Sequence, residues 1–303
     1  MIRRSWTCFL LTLSVATTSP AALVSVSNPF DQFGKVPNGT CANPQASVCG
    51  AAAMINSFEF LRRTNMALLG NTSIIPDWNN DKMITMSDLE TSRDRLGIDG
   101  WKSPGGEDRK GYYKRDGTVR SDWEAKVDWL NDFAPGKIIF DGQIDANRKD
   151  LGITEKDVSK WKNGGVLENK QPEWAFLFNQ IKGKEDVEIA FRGGNTFHAV
   201  TVTGLDFDDK NGNKMFDAGE DRFLRYLDPN DVKGEKKAQL SMGGGGQLQF
   251  KYGADTVDIL YAFSESPVPE PSTILSGTLG LIVTAGLARK NRKYGGNSRN
   301  QQC

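Results

Sequence analysis

The first half of the chain carries apolar residues at helical spacing. One stripe follows Cys49 at the i, i+3, i+4 and i+7 positions of a core-facing helix: Ala51, Met54, Ile55 and Phe58. A second helix is predicted from Ser121, because Glu124 three residues later completes a capping box, to a stop at Pro135. A third is predicted over 172–182, where a proline occupies the first turn.

In the second half, apolar and polar residues alternate with the period of two that is typical of strands. This alternation predicts strands at 187–192, 198–204, 222–227 and 257–263. Helices that precede an antiparallel sheet along the chain are typical of the α+β class. We therefore predict an α+β fold.

The N-terminus has the layout of a secretory signal peptide. Arg3 and Arg4 precede an apolar stretch at 6–16, and small residues follow at 20–22. We predict a signal peptide over residues 1–24, with a buried first helix as the alternative. The folded part would then work outside the cytoplasm.

The C-terminus combines three features in a fixed order. Val268-Pro269-Glu270-Pro271-Ser272 precedes an apolar run at 273–288, and a basic cluster follows at 289–293. The run is shorter than the roughly 20 residues that span a membrane, and the basic residues would hold its end on the cytoplasmic side. The order resembles the PEP-CTERM sorting signal of Gram-negative bacteria. A plain anchor helix is the alternative.

That resemblance implies a processing partner and a location. In that family an exosortase-type membrane peptidase cuts near the motif. We therefore expect a folded domain at 25–265 and a sorting signal with a short transmembrane helix at 266–303. The segment would contact the membrane before processing, and the protein would reach the cell surface, outer membrane or extracellular matrix of a Gram-negative bacterium.

Charge and composition exclude several classes of partner. The 38 Lys and Arg residues balance 38 Asp and Glu residues, so no strong field favours nucleic acid. One histidine and the two cysteines of the predicted mature part, Cys41 and Cys49, are too few for a typical zinc site. We see no nucleotide-binding pattern and predict no organic cofactor.

Three residues carry the catalytic prediction. Cys49 begins a helix, whose dipole and a nearby imidazolium would favour the reactive thiolate. His198, the sole histidine, opens a strand and would act as general acid and base. Asp228 ends the next strand and would orient the ring. The Cys49 amide, with Gln45 or Asn43 upstream, would donate to the oxyanion.

Cysteine, histidine and acid in this order resemble the papain-like peptidases. A closer resemblance is to the streptococcal immunoglobulin-degrading cysteine peptidases, on these residues: Cys49-Gly50-Ala51-Ala52, Asn56, His198, Gly204 and Asp206-Phe207-Asp208. It implies a papain-like fold in which the catalytic helix packs on a C-terminal antiparallel sheet. It also implies catalysis by Cys49, His198 and Asp228, with Asn230 or Asp231 as a second polar partner. The family's upstream lysine has no counterpart here, because Lys35 is too distant.

The function predicted from these residues is an exported, surface-sorted cysteine endopeptidase that acts on proteins or peptides. Cys-His chemistry of another kind, transpeptidation or deamidation, uses the same residues. A Cys41–Cys49 disulfide is the structural alternative, since exported proteins meet oxidising conditions. The corresponding alternative function is a non-catalytic, calcium-stabilised extracellular matrix or adhesion protein.

A 12-residue segment, 209–220, has the oxygen-ligand spacing of a calcium-binding loop. Side-chain oxygens at positions 1, 3, 5, 9 and 12 and a backbone carbonyl at position 7 would come from these residues: Asp209, Asn211, Asn213, Asp217, Glu220 and Met215. Lys214 stands where such loops have glycine. We predict a structural Ca²⁺ here, with a metal-free acidic hairpin loop as the alternative.

Overall fold

The structure, a computed structural model, describes residues 22–37, 49–69, 73–97, 101–102, 108–109, 122–145, 166–193, 196–213, 217 and 219–268. Its helices are a short 3-10 turn at Phe30–Gln32, α1 (Cys49–Thr64), α2 (Met66–Leu69), α3 (Met86–Gly97), α4 (Asp122–Phe133) and α5 (Trp174–Lys182). Its strands are β1 (Ala22–Ser27), β2 (Trp101–Lys102), β3 (Asp108–Arg109), β4 (Ile138–Ile144), β5 (Val166–Glu168), β6 (Asp186–Gly193), β7 (Thr196–Asp209), β8 (Arg222–Asp228), β9 (Asp231–Met242), β10 (Leu248–Tyr252) and β11 (Asp255–Pro267).

Six antiparallel strands close into a barrel. Strands β7 to β11 pair in chain order, and β6 closes the ring by pairing with both β7 and β11. Three strands extend this sheet: β1 lies beside β7, β4 lies beside β11, and β5 pairs in parallel with β4. Strands β2 and β3 form a separate two-stranded sheet.

The predicted papain-like α+β fold, with an N-terminal helical part whose catalytic helix packs on a C-terminal antiparallel sheet, is therefore wrong. Alternation shows that each strand has an apolar face, but it does not show that the sheet curls. The curvature comes from β7 and β11, which are long and shift register at Val202/Gly204 and Ile259/Tyr261. Such irregularities bend a strand, so its two ends can pair with different neighbours.

The core has two apolar clusters, one on each side of the barrel wall. The inner cluster fills the barrel with every second side chain of its strands, and α5 adds Leu177 to it. Its strand residues include Phe191, Val200, Val202, Phe207, Leu224 and Phe250. The outer cluster packs α1, α3 and α4 on the outside of the wall, and includes Ala53, Phe58, Leu89, Trp129, Ala190 and Ala199. Small residues lie on both surfaces, Ala53 on α1 and Ala190 and Ala199 on the wall, and they suit a close approach of α1 to the wall. Thr201 Oγ1 donates to Ala53 O at 3.0 Å and ties α1 to β7.

Several predicted elements are confirmed, with small changes in their ends. Helix α1 begins at Cys49, and the predicted helices near 121 and 172 correspond to α4 and α5. The four predicted strands correspond to β6, β7, β8 and β11, and all four are longer than predicted. The prediction missed α2 and α3 and the strands β1 to β5, β9 and β10.

The predicted terminal segments lie outside the described residues, apart from their inner borders. Strand β1 begins at Ala22 and β11 ends at Pro267, so the domain borders at 24 and 265 stay predictions. Among the described residues, we find no helix that is long and apolar enough to span a membrane. The apolar run at 273–288 is not among them.

A buried ion cluster fastens α4 to the barrel wall. The ammonium of Lys126 contacts the carboxylates of Glu188 on β6 and Glu265 on β11, and all three side chains are buried. Asp186 lies beside them and accepts from the Glu265 backbone N–H at 3.1 Å. Burial, and then the charge of Glu265, raise the pKa of Glu188 to about 8. Lys126 is thus the cation that neutralises a group of buried acids.

We expect Lys126→Met to lower the free energy of unfolding by about 3 kcal/mol or more, because removing one partner leaves buried carboxylates without a cation. Chemical denaturation at pH 7 measures this change. As a control, Lys251→Met replaces an exposed lysine on β10 and should change the value by less than about 0.5 kcal/mol. Equal stabilities of the two variants would contradict the role given to the cluster.

Candidate active site

Helix α1 places Cys49 at one end of the barrel, beside the start of β7. Cys49 is the first residue of α1, and its Sγ lies 4.0 Å from the carbonyl oxygen of Phe197 at the start of β7. The neighbouring His198 lies within hydrogen-bonding reach of the thiol. The Cys49 side chain is buried and carries a thiol, not a disulfide. Its position at the N-terminus of α1 exposes the sulfur to the positive end of the helix dipole.

The barrel supplies His198 and Asp228. His198 lies on the same face of β7 as Val200 and Val202, because every second residue of a strand shares a face. Asp228 lies on the same face of β8 as Tyr226. Both residues therefore follow the face that lines the barrel. His198 Nε2 and Asp228 Oδ1 are 2.9 Å apart, and both side chains are almost fully buried. The pair joins the third residue of β7 to the last residue of β8, at one end of the barrel.

Asp228 is surrounded by donors on both carboxylate oxygens. Oδ1 accepts from the Asn230 backbone N–H at 2.8 Å as well as from His198. Oδ2 accepts from the Tyr252 hydroxyl at 2.9 Å and from Lys236 Nζ at 3.2 Å. Burial raises the pKa of Asp228, but the bonds from His198 and Asn230 outweigh it and hold the pKa well below its usual range. Asp228 is therefore ionised.

The imidazole of His198 lies between two acidic partners. Burial lowers the pKa of His198, but the hydrogen bonds with Asp228 and Cys49 outweigh this effect and raise the pKa to about 9. The ring therefore carries both protons at neutral pH. Because Asp228 bonds Nε2, Nδ1 is the nitrogen that remains for Cys49. The rings of Phe191 and Tyr252 flank the imidazole, with centroids 5.4 and 5.3 Å away.

The other predicted site residues fall into two groups. The oxyanion candidates Gln45 and Asn43, and the alternative disulfide partner Cys41, lie outside the described residues. Of the two proposed polar partners, Asn230 reaches the site, with Nδ2 3.3 Å from His198 Nε2. Asp231 instead lies 3.6 Å from Lys236 Nζ, and about half of its side chain is exposed.

Sequence reasoning missed Tyr252 and Lys236. Tyr252 lies on β10 and Lys236 lies on β9, two strands that follow Asp228 in the chain. No motif marks them, and only the closed barrel brings β10 next to the acid. The alternation Leu248, Phe250, Tyr252 does place Tyr252 on the face that lines the barrel, which is the one signal available in the sequence.

The predicted calcium loop joins β7 to β8 and gathers its polar side chains. Asn211 and Asn213 donate from Nδ2 to Asp217 Oδ2 at 2.6 and 2.7 Å, and the Asn213 backbone N–H donates to Asp209 Oδ1 at 3.0 Å. Glu220 accepts from the backbone N–H groups of Lys210 and Asp217. Carboxylate and amide oxygens are the donors that Ca²⁺ prefers. The loop holds residue types of this kind, so Ca²⁺ stays a prediction for it, and Met215 lies outside the described residues.

A second acidic group, Asp186, Glu188 and Glu265, has carboxylate oxygens within 4.8 Å of one another. The ammonium of Lys126 contacts two of the three carboxylates. It thus supplies the positive charge that a metal ion would bring, and we interpret the group as an ion cluster of the core.

Neither protein-family models nor curated protein sequences match this chain. The resemblances drawn from its motifs therefore stay predictions.

We expect Asp228→Asn to lower the pKa of His198 from about 9 toward the ordinary imidazole value of about 6.5, because the amide carries no charge to balance the imidazolium. Since the chain has one histidine, NMR of ¹⁵N-histidine-labelled protein follows its titration without assignment.

Asp231→Asn is the matched control, because it removes a neighbouring carboxylate that is about half exposed and contacts Lys236. It should leave the pKa of His198 near 9. If Asp228→Asn and Asp231→Asn gave the same titration as the unchanged protein, the charge balance described for this site would be wrong.

Proposed function

We propose that this protein is a cysteine peptidase in which Cys49 attacks the peptide carbonyl and His198 transfers the proton. The observation that carries the proposal is the buried imidazole of His198, held by Asp228 on one nitrogen and in reach of the Cys49 thiol. A thiol next to a charged imidazole forms the thiolate that acts as nucleophile.

The first half of the reaction forms a thioester. The Cys49 sulfur bonds to the carbonyl carbon, and the negative charge moves to the carbonyl oxygen. That charge develops at the N-terminal end of α1, where the helix dipole favours it. The C–N bond then breaks as imidazolium His198 gives its Nδ1 proton to the leaving nitrogen.

The second half returns the enzyme to its starting state. Neutral His198 takes a proton from water, which attacks the thioester carbon, and the C–S bond breaks to release the carboxylic acid. Asp228 keeps the ring oriented through both halves, because its bond to Nε2 fixes which nitrogen faces the sulfur. The raised pKa of His198 suits the first half, which needs a protonated ring.

We infer the location and partners from the two ends of the chain. A signal peptide and a sorting signal of the PEP-CTERM type would carry the domain out of the cytoplasm, through an exosortase-type peptidase. Its substrate would then be a protein or peptide outside the cell.

A second part of the proposal is structural calcium in the 209–220 loop. The loop connects the strand that carries His198 to the strand that carries Asp228, so an ion that fixes the loop would stabilise the hairpin on which the pair stands. Asp209, Asn211, Asn213, Asp217 and Glu220 would supply side-chain oxygens.

We expect Cys49→Ala to lower hydrolysis of fluorescent casein by about 10³-fold or more, because the nucleophile is lost. It should also abolish labelling by iodoacetamide at position 49, as mapped by peptide mass. The comparison is Cys41→Ala, which removes the other cysteine of the predicted mature domain and should leave both activities in place. Full casein hydrolysis by Cys49→Ala would sink the proposal, whatever the activity of Cys41→Ala.

We expect 1 mM CaCl₂ to raise the melting temperature above that in EDTA by several degrees, because a ligand at about 100 times its Kd adds about 2.7 kcal/mol. Asp217→Ala should remove this difference. Asp221→Ala, which changes an exposed acid just outside the loop, should keep it. Equal melting temperatures of the unchanged protein in calcium and in EDTA would refute the calcium site.

A further inference from the structure

Four consecutive strands of the barrel each contribute one side chain to the group around Asp228. His198 comes from β7, Asp228 from β8, Lys236 from β9 and Tyr252 from β10. Asn230 comes from the turn between β8 and β9, and Cys49 comes from helix α1. The orientation of Asp228 therefore depends on β9 and β10, which carry neither Cys49 nor His198.

Tyr252 contacts three members of this group: Asp228, Asn230 and His198. Its hydroxyl donates to Asp228 Oδ2 at 2.9 Å and accepts from Asn230 Nδ2 at 3.1 Å. Its ring lies against the imidazole of His198, with centroids 5.3 Å apart and planes inclined at 44°. The ring of Phe191 packs behind both. The same side chain thus limits the movement of the carboxylate and of the imidazole.

The hydrogen bonds run in one direction. Asn230 donates to the Tyr252 oxygen, so the hydroxyl proton points at Asp228. Burial, and then the charge of Asp228, raise the pKa of Tyr252, so the hydroxyl keeps this proton. Asp228 therefore receives a neutral donor on Oδ2 and the charged ring on Oδ1. Lys236 Nζ also reaches Oδ2, from a side chain that is one-third exposed.

We infer that Tyr252 is a positioning residue, which holds Asp228 and the His198 ring in the orientation that presents Nδ1 to Cys49. This inference rests on the proposed function and deepens it, since Tyr252 touches neither the sulfur nor the substrate carbonyl in the proposed reaction. Its hydroxyl acts through Asp228, and its ring acts through the imidazole.

Tyr226 offers a matched comparison. It is a buried tyrosine on β8, its ring packs in the same barrel interior against Phe250, and burial raises its pKa to about 12. Asp228 takes its four described donors from His198, Asn230, Lys236 and Tyr252, so the Tyr226 hydroxyl is not one of them. Tyr226→Phe removes the same atom as Tyr252→Phe from a second tyrosine of the same core cluster.

The test compares Tyr252→Phe, Tyr226→Phe and the unchanged protein with two readouts. The first is the Nε2–H signal of the sole histidine in ¹⁵N-histidine-labelled protein, together with its exchange rate with water. The second is the rate of Cys49 alkylation by iodoacetamide from pH 5 to 10. Thermal unfolding confirms that each variant is folded.

We expect Tyr252→Phe to speed exchange of the Nε2 proton and to slow alkylation by about tenfold at neutral pH, the factor that a hydrogen bond to a charged group is worth. Tyr226→Phe should match the unchanged protein in both. A Tyr252→Phe variant that matches Tyr226→Phe in both readouts overturns the inference.

The NMR readout needs no catalysis, so the two failures are distinguishable. If Cys49→Ala loses no casein hydrolysis while Tyr252→Phe still alters the His198 signal, the proposed function fails and the positioning of the ring stands. If Cys49→Ala is inactive and Tyr252→Phe changes nothing, only the inference fails.

Discussion

A protonated imidazole is stable inside a protein only where an opposite charge meets it, and at the end of this barrel that charge is Asp228. The 2.9 Å contact between Asp228 and His198 compensates for the burial of both groups. It also fixes which ring nitrogen remains for Cys49. The chemistry proposed for the sulfur depends on this contact, because a ring that turned away would leave the sulfur without the imidazolium beside it.

Two parts of the fold bring the reacting groups together: the barrel holds the ion pair, and helix α1 carries the sulfur. The barrel holds the ion pair rigidly, since its members lie on paired strands and receive donors from two further strands. Helix α1 brings the sulfur and is held on the barrel wall by apolar packing and by the Thr201 bond to Ala53. The buried Lys126 cluster fastens a second helix to the same wall.

Residues that suggested a family also have structural roles in this fold. Asn56 bonds the backbone of Val36 through both its oxygen and its nitrogen, and so fixes the segment that precedes the site. A side chain at Gly204 would collide with the guanidinium of Arg225, which lies 2.7 Å from the position of a Cβ. Arg225 in turn pairs with Asp206 at 3.3 Å. These residues thus support the strand that carries His198.

The sequence predicted the local features well and the closure of the sheet poorly. The start of α1 at Cys49 followed from helical spacing, and the placement of His198 and Asp228 at strand ends followed from alternation. Alternation in β6 suggested a polar face at Glu188, yet helices cover that face and bury the residue. Lys126 has helical spacing to the apolar positions Trp123 and Leu130, and this spacing was a signal that Lys126 is buried. Strand closure depends on pairings far apart in sequence, which no local pattern encodes.

The most direct test of the account is the titration of the sole histidine in Cys49→Ala, followed by NMR. The account holds that the thiol contributes to the raised pKa of His198, so removing it should lower the pKa from about 9 while Asp228 still holds it above the ordinary value. A His198 pKa that is unchanged in Cys49→Ala would show that sulfur and imidazole do not meet, and would contradict the account.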